Sequence, residues 1–410
     1  AAGETISGSV VTNSAEKRLS MPLLVAATAT GPMALNIFVP SMPAVADEFG
    51  APYSQIQISL SLFFMGLALG QVVYGPLSDR FGRRPILILG LSLFAVSSLL
   101  CMLAQTAEML IIGRAAQGFA GCAGMVLSRA IIGDVAGRER SASLIAYVTM
   151  AMVVVPMVSP ATGGLIADRF GWQAIFALVF LYAVIVLLWV IFGLRETKHD
   201  LQSVGFGGLM ANYARLAASS DFRHYAAVGA FGTAGFFAFL GGAPFVVIEV
   251  MNQSPTDFGF FFIFPAFCYI GGNFVSARLA PRLGIDRLIL IGAIVTAVGA
   301  TLMLLGGLAG MLTPWAIFLP MLACAFGNGL TIANSAAGAI SAIPQIGGSA
   351  SGLAGFSQMA LGALTSKLAG DLVQASQVPV AAIMVVVAVA AVAFAVVRVR
   401  GVGTPRPAEA

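Results

Sequence analysis

Charge is what this chain has least of. Only 9% of its 410 residues are Asp, Glu, Lys or Arg, where a soluble domain carries about 25%. Histidine (two residues), tryptophan (three) and cysteine (four) are also scarce. Each shortage excludes something. With so little charge and 59% hydrophobic residues, the chain has more apolar surface than a water-soluble core can bury, so its solvent is the bilayer. Cys101, Cys122, Cys268 and Cys324 all fall inside apolar runs without metal-ligand spacing; they read as small buried hydrophobes, and no metal site is expected. His199 and His224 lie in or beside the longest polar connection, which suits solvated or interfacial rings better than ligands. No phosphate-cradling loop, nucleophile–base pair or soluble domain is present, so an enzyme is not expected, and neither is a cofactor. The net charge of +4 is no nucleic-acid footprint, because the cations are scattered through short loops.

What the chain does have is long apolar runs. Twelve are expected to cross the membrane, near 20–45, 54–77, 85–105, 108–131, 142–167, 172–194, 223–250, 257–280, 286–309, 314–342, 348–371 and 376–398. Each suits the about 20 residues a helix needs and exceeds a barrel strand. The 47 glycines fit close helix contact in lipid. Of the 21 Lys and Arg, all but Arg114, Arg169 and Lys367 fall on one side of this arrangement, which places both termini in the cytoplasm. The acids Asp47, Glu48, Glu108, Asp168, Glu249, Asp257 and Asp371 favour the other side. The expected organisation is a tail (1–19) with no apparent cleavable leader, a six-helix bundle (20–194), a cytoplasmic linker (195–222), a second six-helix bundle (223–398) and a tail (399–410). The halves echo one another: Arg80-Phe81-Gly82 between spans two and three recurs as Arg282-Leu283-Gly284 between spans eight and nine. Two six-helix halves related by a repeat are a transporter architecture.

Three stretches carry the motifs. The turn Gly75-Pro76-Leu77-Ser78-Asp79-Arg80-Phe81-Gly82-Arg83-Arg84 is compact, basic and glycine-bearing. Gly75 would let helices approach, Gly82 would allow the tight turn, Asp79 would face a helix N-terminus across the two halves, and Arg83 would pair with Asp134. In span four, Arg114, Gln117, Gly118 and Gly121 are spaced i, i+3, i+4, i+7 and share a face. An arginine inside the bilayer needs a cavity or a partner. Span five carries Pro156, Pro160, Gly163 and Gly164, which would kink the helix and allow tight packing.

The first stretch matches the Gly-x-Leu-x-Asp-Arg-x-Gly-Arg-Arg signature of the major facilitator superfamily. The second resembles its Arg-x-x-Gln-Gly motif. The third resembles the Gly-Pro-x-x-Gly-Gly motif of drug–proton antiporters, with Ser159 in place of the glycine before Pro160. Asn36 to Pro43 is similar to the Asp-x-Tyr-Leu-Pro-x-x-Pro pattern of the bicyclomycin/chloramphenicol-resistance branch. Segments 242–249, 254–259 and 348–358 resemble the same branch. The resemblance implies an all-α fold of twelve membrane helices in two pseudo-symmetric bundles, with spans one, four, seven and ten lining a central cavity. It also implies proton-coupled efflux of small amphipathic compounds, with the proton gradient as the coupling source, from the inner membrane of a bacterium and as a monomer. Asp79, Arg80, Arg83, Arg84 and Asp134 would latch the cytoplasmic side. One position departs from the branch: Asn36 stands where an Asp is usual, and an amide cannot titrate. Coupling is then relocated, or lost in an uncoupled facilitator; an exporter of a native metabolite (amino acid, sugar or siderophore) is a further alternative. The expected substrate and proton pathway comprises Asn36, Arg114, Gln117, Phe236, Phe239, Asn328, Asn334, Gln358 and Glu249.

Overall fold

The computed structural model describes residues 20–135, 138–198, 206–373 and 376–402. The first span is α1 (Met21–Phe38), a 3-10 turn (Val39–Ser41) and α2 (Met42–Phe49). Pro40 lies within this break and Pro43 in the first turn of α2, where each removes a backbone donor that a continuous helix would use. The next five spans are α3 (Tyr53–Phe81), α4 (Arg83–Met102), α5 (Ala107–Val135), α6 (Arg138–Phe170) and α7 (Trp172–Gly193). After α8 (Phe206–Ala218) come α9 (Ser220–Phe245, continued by a π-helical turn at Val246–Val250), α10 (Pro255–Leu283), α11 (Ile285–Leu308), α12 (Pro314–Ser341), α13 (Gly347–Leu372) and α14 (Val378–Val402). Ten of these spans are long and apolar enough to cross a membrane among the described residues. α6, at 33 residues, and α13, at 26, complete the twelve.

α8 lies in the stretch expected to be a plain linker. Its buried Leu209 and Leu216 explain why it folds there, packed against α9 and α13. The span after it begins at Ser220, capped by Ser219, three residues earlier than expected.

Each packing relation in the first six spans has a counterpart six spans on. α5 packs on α3 and α4 as α12 packs on α10 and α11. α1 packs on α6 as α9 packs on α13, and α4 on α7 as α11 on α14. The echo at Gly82 and Gly284 is conformational as well: both sit at positive φ (96° and 78°) and both start the following helix. Only glycine takes that backbone without strain. The halves meet along two seams, α3 with α13 and α6 with α10.

Candidate functional site

A cavity of about 220 Å³ lies between the halves. α1 contributes Pro32, Leu35 and Asn36 to its wall, α6 contributes Pro156 and Met157, and α9 contributes Thr233, Phe236 and Phe237. α10 adds Phe262, Pro265, Ala266 and Tyr269, α12 adds Met321, Ala325, Asn328 and Ile332, and α13 adds Gln358 and Met359. α3 and α5 touch it through Leu67 and Met125. The lining is therefore broader than spans one, four, seven and ten, because both helices of each seam also reach the centre. No lining residue is ionisable apart from the phenol of Tyr269.

Of the expected pathway residues, Asn36, Phe236, Asn328 and Gln358 border the cavity; Arg114, Gln117, Phe239, Asn334 and Glu249 do not. Arg114 is fully buried inside the first half. Its Nη1 donates to the Ala34 carbonyl at 2.9 Å and to Gln117 Oε1 at 2.6 Å. Gln117 donates on to Ser98 Oγ at 2.8 Å, and Ser98 to the Phe94 carbonyl at 2.6 Å. The guanidinium lies 4.2 Å from the Phe63 ring centroid, 5.0 Å from Phe38 and 5.9 Å from Phe176. The cation is thus held by ring faces, a main-chain oxygen and the Gln117 amide oxygen, with no ion pair to a carboxylate and no hydrogen bond to Asn36 among the described residues. Asn36 instead turns back on its own helix, its Nδ2 donating to the Pro32 carbonyl at 2.8 Å. Phe239 packs against Phe262 and Phe318. Asn334 ties α12 to α10 by donating to Ser276 Oγ at 2.7 Å. Glu249 is exposed on the π-helical turn that ends α9.

The basic turn is built around Arg83. Its Nε donates to Asp134 at 2.8 Å, its Nη1 to Ser78 Oγ at 2.6 Å, and its Nη2 lies 2.8 Å from Asp79. Ser78 in turn donates to the Gly75 carbonyl at 2.8 Å. Two expectations are corrected here. Gly75 meets no neighbour within 4 Å where a side chain would stand, so it mediates no close approach. Asp79 pairs with Arg83 and with Lys198 at 2.7 Å, within its own half and the start of the linker, rather than with a helix of the other half. The helix N-terminus that receives a carboxylate is that of α4, and the carboxylate is Glu196. It accepts from the backbone N–H of Arg83 at 3.0 Å and of Arg84 at 3.1 Å. Burial opposes the charged form of Glu196, but these N–H groups and those of Lys198 and Thr197 hold it below the usual carboxylate range. A side chain at Gly82 would collide with this carboxylate, which gives the glycine a second reason. Arg84 caps Ile191 at 2.8 Å, while Arg80 lies over the neighbouring Phe81 ring.

At the opposite end the halves are tied directly. Tyr53 Oη donates to the Gly241 carbonyl at 3.0 Å, and Gln57 Nε2 to Ser366 Oγ at 2.8 Å. Thr256 N donates to Asp168 at 3.1 Å. The span-five glycines sit in this closure. A side chain at Gly163 would strike the Ile37 carbonyl, and one at Gly164 the Pro255 carbonyl of the other half; Gly259 meets Pro160 and Ala161 in return. Sequence alone did not point to Tyr53, Gln57, Ser366 or Glu196. Buried glutamine in an apolar span was the available signal for Gln57.

The fold and this cavity between the two bundles define a membrane transporter of the two-bundle kind. Residues 24–366 match the family model described as Major Facilitator Superfamily, and the chain belongs to that superfamily. It is 33% identical over 389 residues to "Uncharacterized MFS-type transporter YdgK" of Bacillus subtilis (strain 168), covering 91% of this chain and 94% of that one. It is 26% identical to "Bicyclomycin resistance protein homolog" of Haemophilus influenzae (83% and 86% covered). It is 25% identical to "Multidrug resistance protein D" of Escherichia coli (strain K12) (87% and 89% covered). Among solved structures it resembles a partially occluded inward open conformation of the xylose transporter XylE from E. coli, with a TM-score of 0.71 at 16% identity, over 94% of this chain and 98% of that one.

Proposed function

We propose that this transporter exports small amphipathic compounds by alternating access, with protons moving in exchange, from the inner membrane of a bacterium and as a monomer. The observation that carries the reading is the wall of the cavity: proline, methionine and phenylalanine surface interrupted by amides, with no carboxylate or ammonium group. Such a wall recognises apolar bulk with few directional demands, and methionine and phenylalanine adapt to varied shapes. Relatives named for bicyclomycin and multidrug resistance support it. If the basic loops mark the cytoplasm, the end tied through Tyr53, Gln57 and Thr256 faces outward and the cavity loads from within, as export requires.

One observation favours a second reading, an uncoupled facilitator: the amide of Asn36 occupies the buried position in α1, and no lining residue offers a carboxylate. Proteoliposomes loaded with lipophilic fluorescent dyes, with and without an imposed pH gradient, test both. Gradient-driven dye movement supports exchange; movement indifferent to the gradient supports the facilitator; no movement of any dye sinks the efflux reading. Asn36→Asp is expected to raise the pH dependence of transport, and identical proton flux in the two forms would remove this position from coupling.

A further inference from the structure

Two amide groups in the cavity wall are left partly unsatisfied by the protein, and they belong to opposite halves. Asn36 is 1% exposed, and its Oδ1 has no hydrogen-bond partner among the described residues. Its orientation is fixed, because only the nitrogen can face the Pro32 carbonyl, so the free atom is the acceptor. Asn328, on α12, is 5% exposed and its Oδ1 is likewise unpartnered. Leaving a buried acceptor unmade is costly, and a native interior rarely does so without a reason. The surrounding wall supplies no counter-charge, so a charged ligand would bury an unpaired ion in apolar surroundings.

We infer that the cavity selects uncharged ligands bearing an N–H or O–H donor on an apolar body, with Asn36 Oδ1 receiving that donor. The inference rests on the reading of this cavity as the substrate site. Asn328 meets a second polar group of the same ligand from the far side, so a bound molecule engages both halves at once. Asn36 then acts as a specificity-determining residue: its amide holds an acceptor in place without carrying charge. An Asp there would favour a cation instead, through its negative charge.

The test uses matched naphthalene probes: the primary carboxamide, its N,N-dimethyl derivative, and the naphthylmethyl trimethylammonium cation. Binding is read by equilibrium dialysis against the protein in lipid nanodiscs, with empty nanodiscs subtracted for partitioning. The primary carboxamide is expected to bind about tenfold more tightly than the dimethyl amide, the scale of one hydrogen bond to a buried acceptor. In Asn36→Leu the gap closes through loss of carboxamide affinity, and Asn328→Leu narrows it less. Equal binding of the two amides by the unmodified protein overturns the donor requirement and leaves the export reading standing. A gap that survives Asn36→Leu overturns the assignment to Asn36, and tighter binding of the cation, or no binding by either amide, overturns the uncharged class. The unmodified protein decides the donor requirement even if a variant folds poorly. Failure of the export reading shows separately, as proteoliposomes that bind the carboxamide and do not move it.

Discussion

A single methyl group at Gly163 would meet the carbonyl oxygen of Ile37, whereas one at Gly133 would meet nothing within 4 Å. Gly163→Ala is therefore expected to destabilise the protein by roughly 1–3 kcal/mol, the cost of overpacking. Gly133→Ala is expected to stabilise it by roughly 0.5–1 kcal/mol, since glycine is a poor helix residue. Thermal melting of the purified variants checks both signs, and equal shifts would refute the contrast. How far single residues were legible depends on the reach of their partners. The pairing of Arg83 with Asp134 could be anticipated because both stand at the same membrane surface at the ends of neighbouring helices. The setting of Arg114 could not. Phe38, Phe63 and Phe176 arrive from three different helices, and periodicity within one helix carries no information about which faces converge.

At the scale of elements, the start of α4 depends on a carboxylate from beyond α7. Because Glu196 has its folded-state value held below the usual carboxylate range, its contribution is fully present above the unfolded value of about 4.3 and is lost as pH falls through the depressed folded value. Glu196→Gln should thus melt below the unmodified protein near neutral pH, with the difference fading in acid; a difference constant down to pH 3 would contradict this. The seam between α3 and α13 offers another test. Ser366→Ala leaves the fully buried Gln57 amide short of its partner across the halves, a change of about 1 kcal/mol, or about fivefold in a conformational ratio. Spin labels placed across this end should report longer separations in the variant, and an unchanged distribution would discount the bond as a tie. The repeat was legible at this scale, since Arg-x-Gly marks the same positive-φ turn in both halves. α8 was not: it lies in the stretch 195–222 read as a linker, and Leu209 and Leu216 are too few to announce a buried face in so short a segment.

At the scale of the molecule, the two ends are held by different physics. The end with the basic turn is a lattice of ions: Arg83, Asp79, Asp134 and Lys198. The end that ties the halves together is a phenol on a main-chain oxygen, an amide on a hydroxyl, and glycines against carbonyls, with Asp168 as its carboxylate. Raising salt from 0.01 to 1 M shortens electrostatic reach from about 30 Å to about 3 Å. Spin-label distances between the ionic turn and the start of the linker at Lys198 should respond to that change, and those across the tied end should not; an equal response at both would refute the distinction. If, as proposed above, the tied end faces outward, the surface that meets a medium of unregulated salinity is closed mainly by neutral hydrogen bonds, which salt weakens little. On that reading, a barrier of neutral bonds would hold against changes in external salt, while the ionic end would answer to the salt of the cell interior.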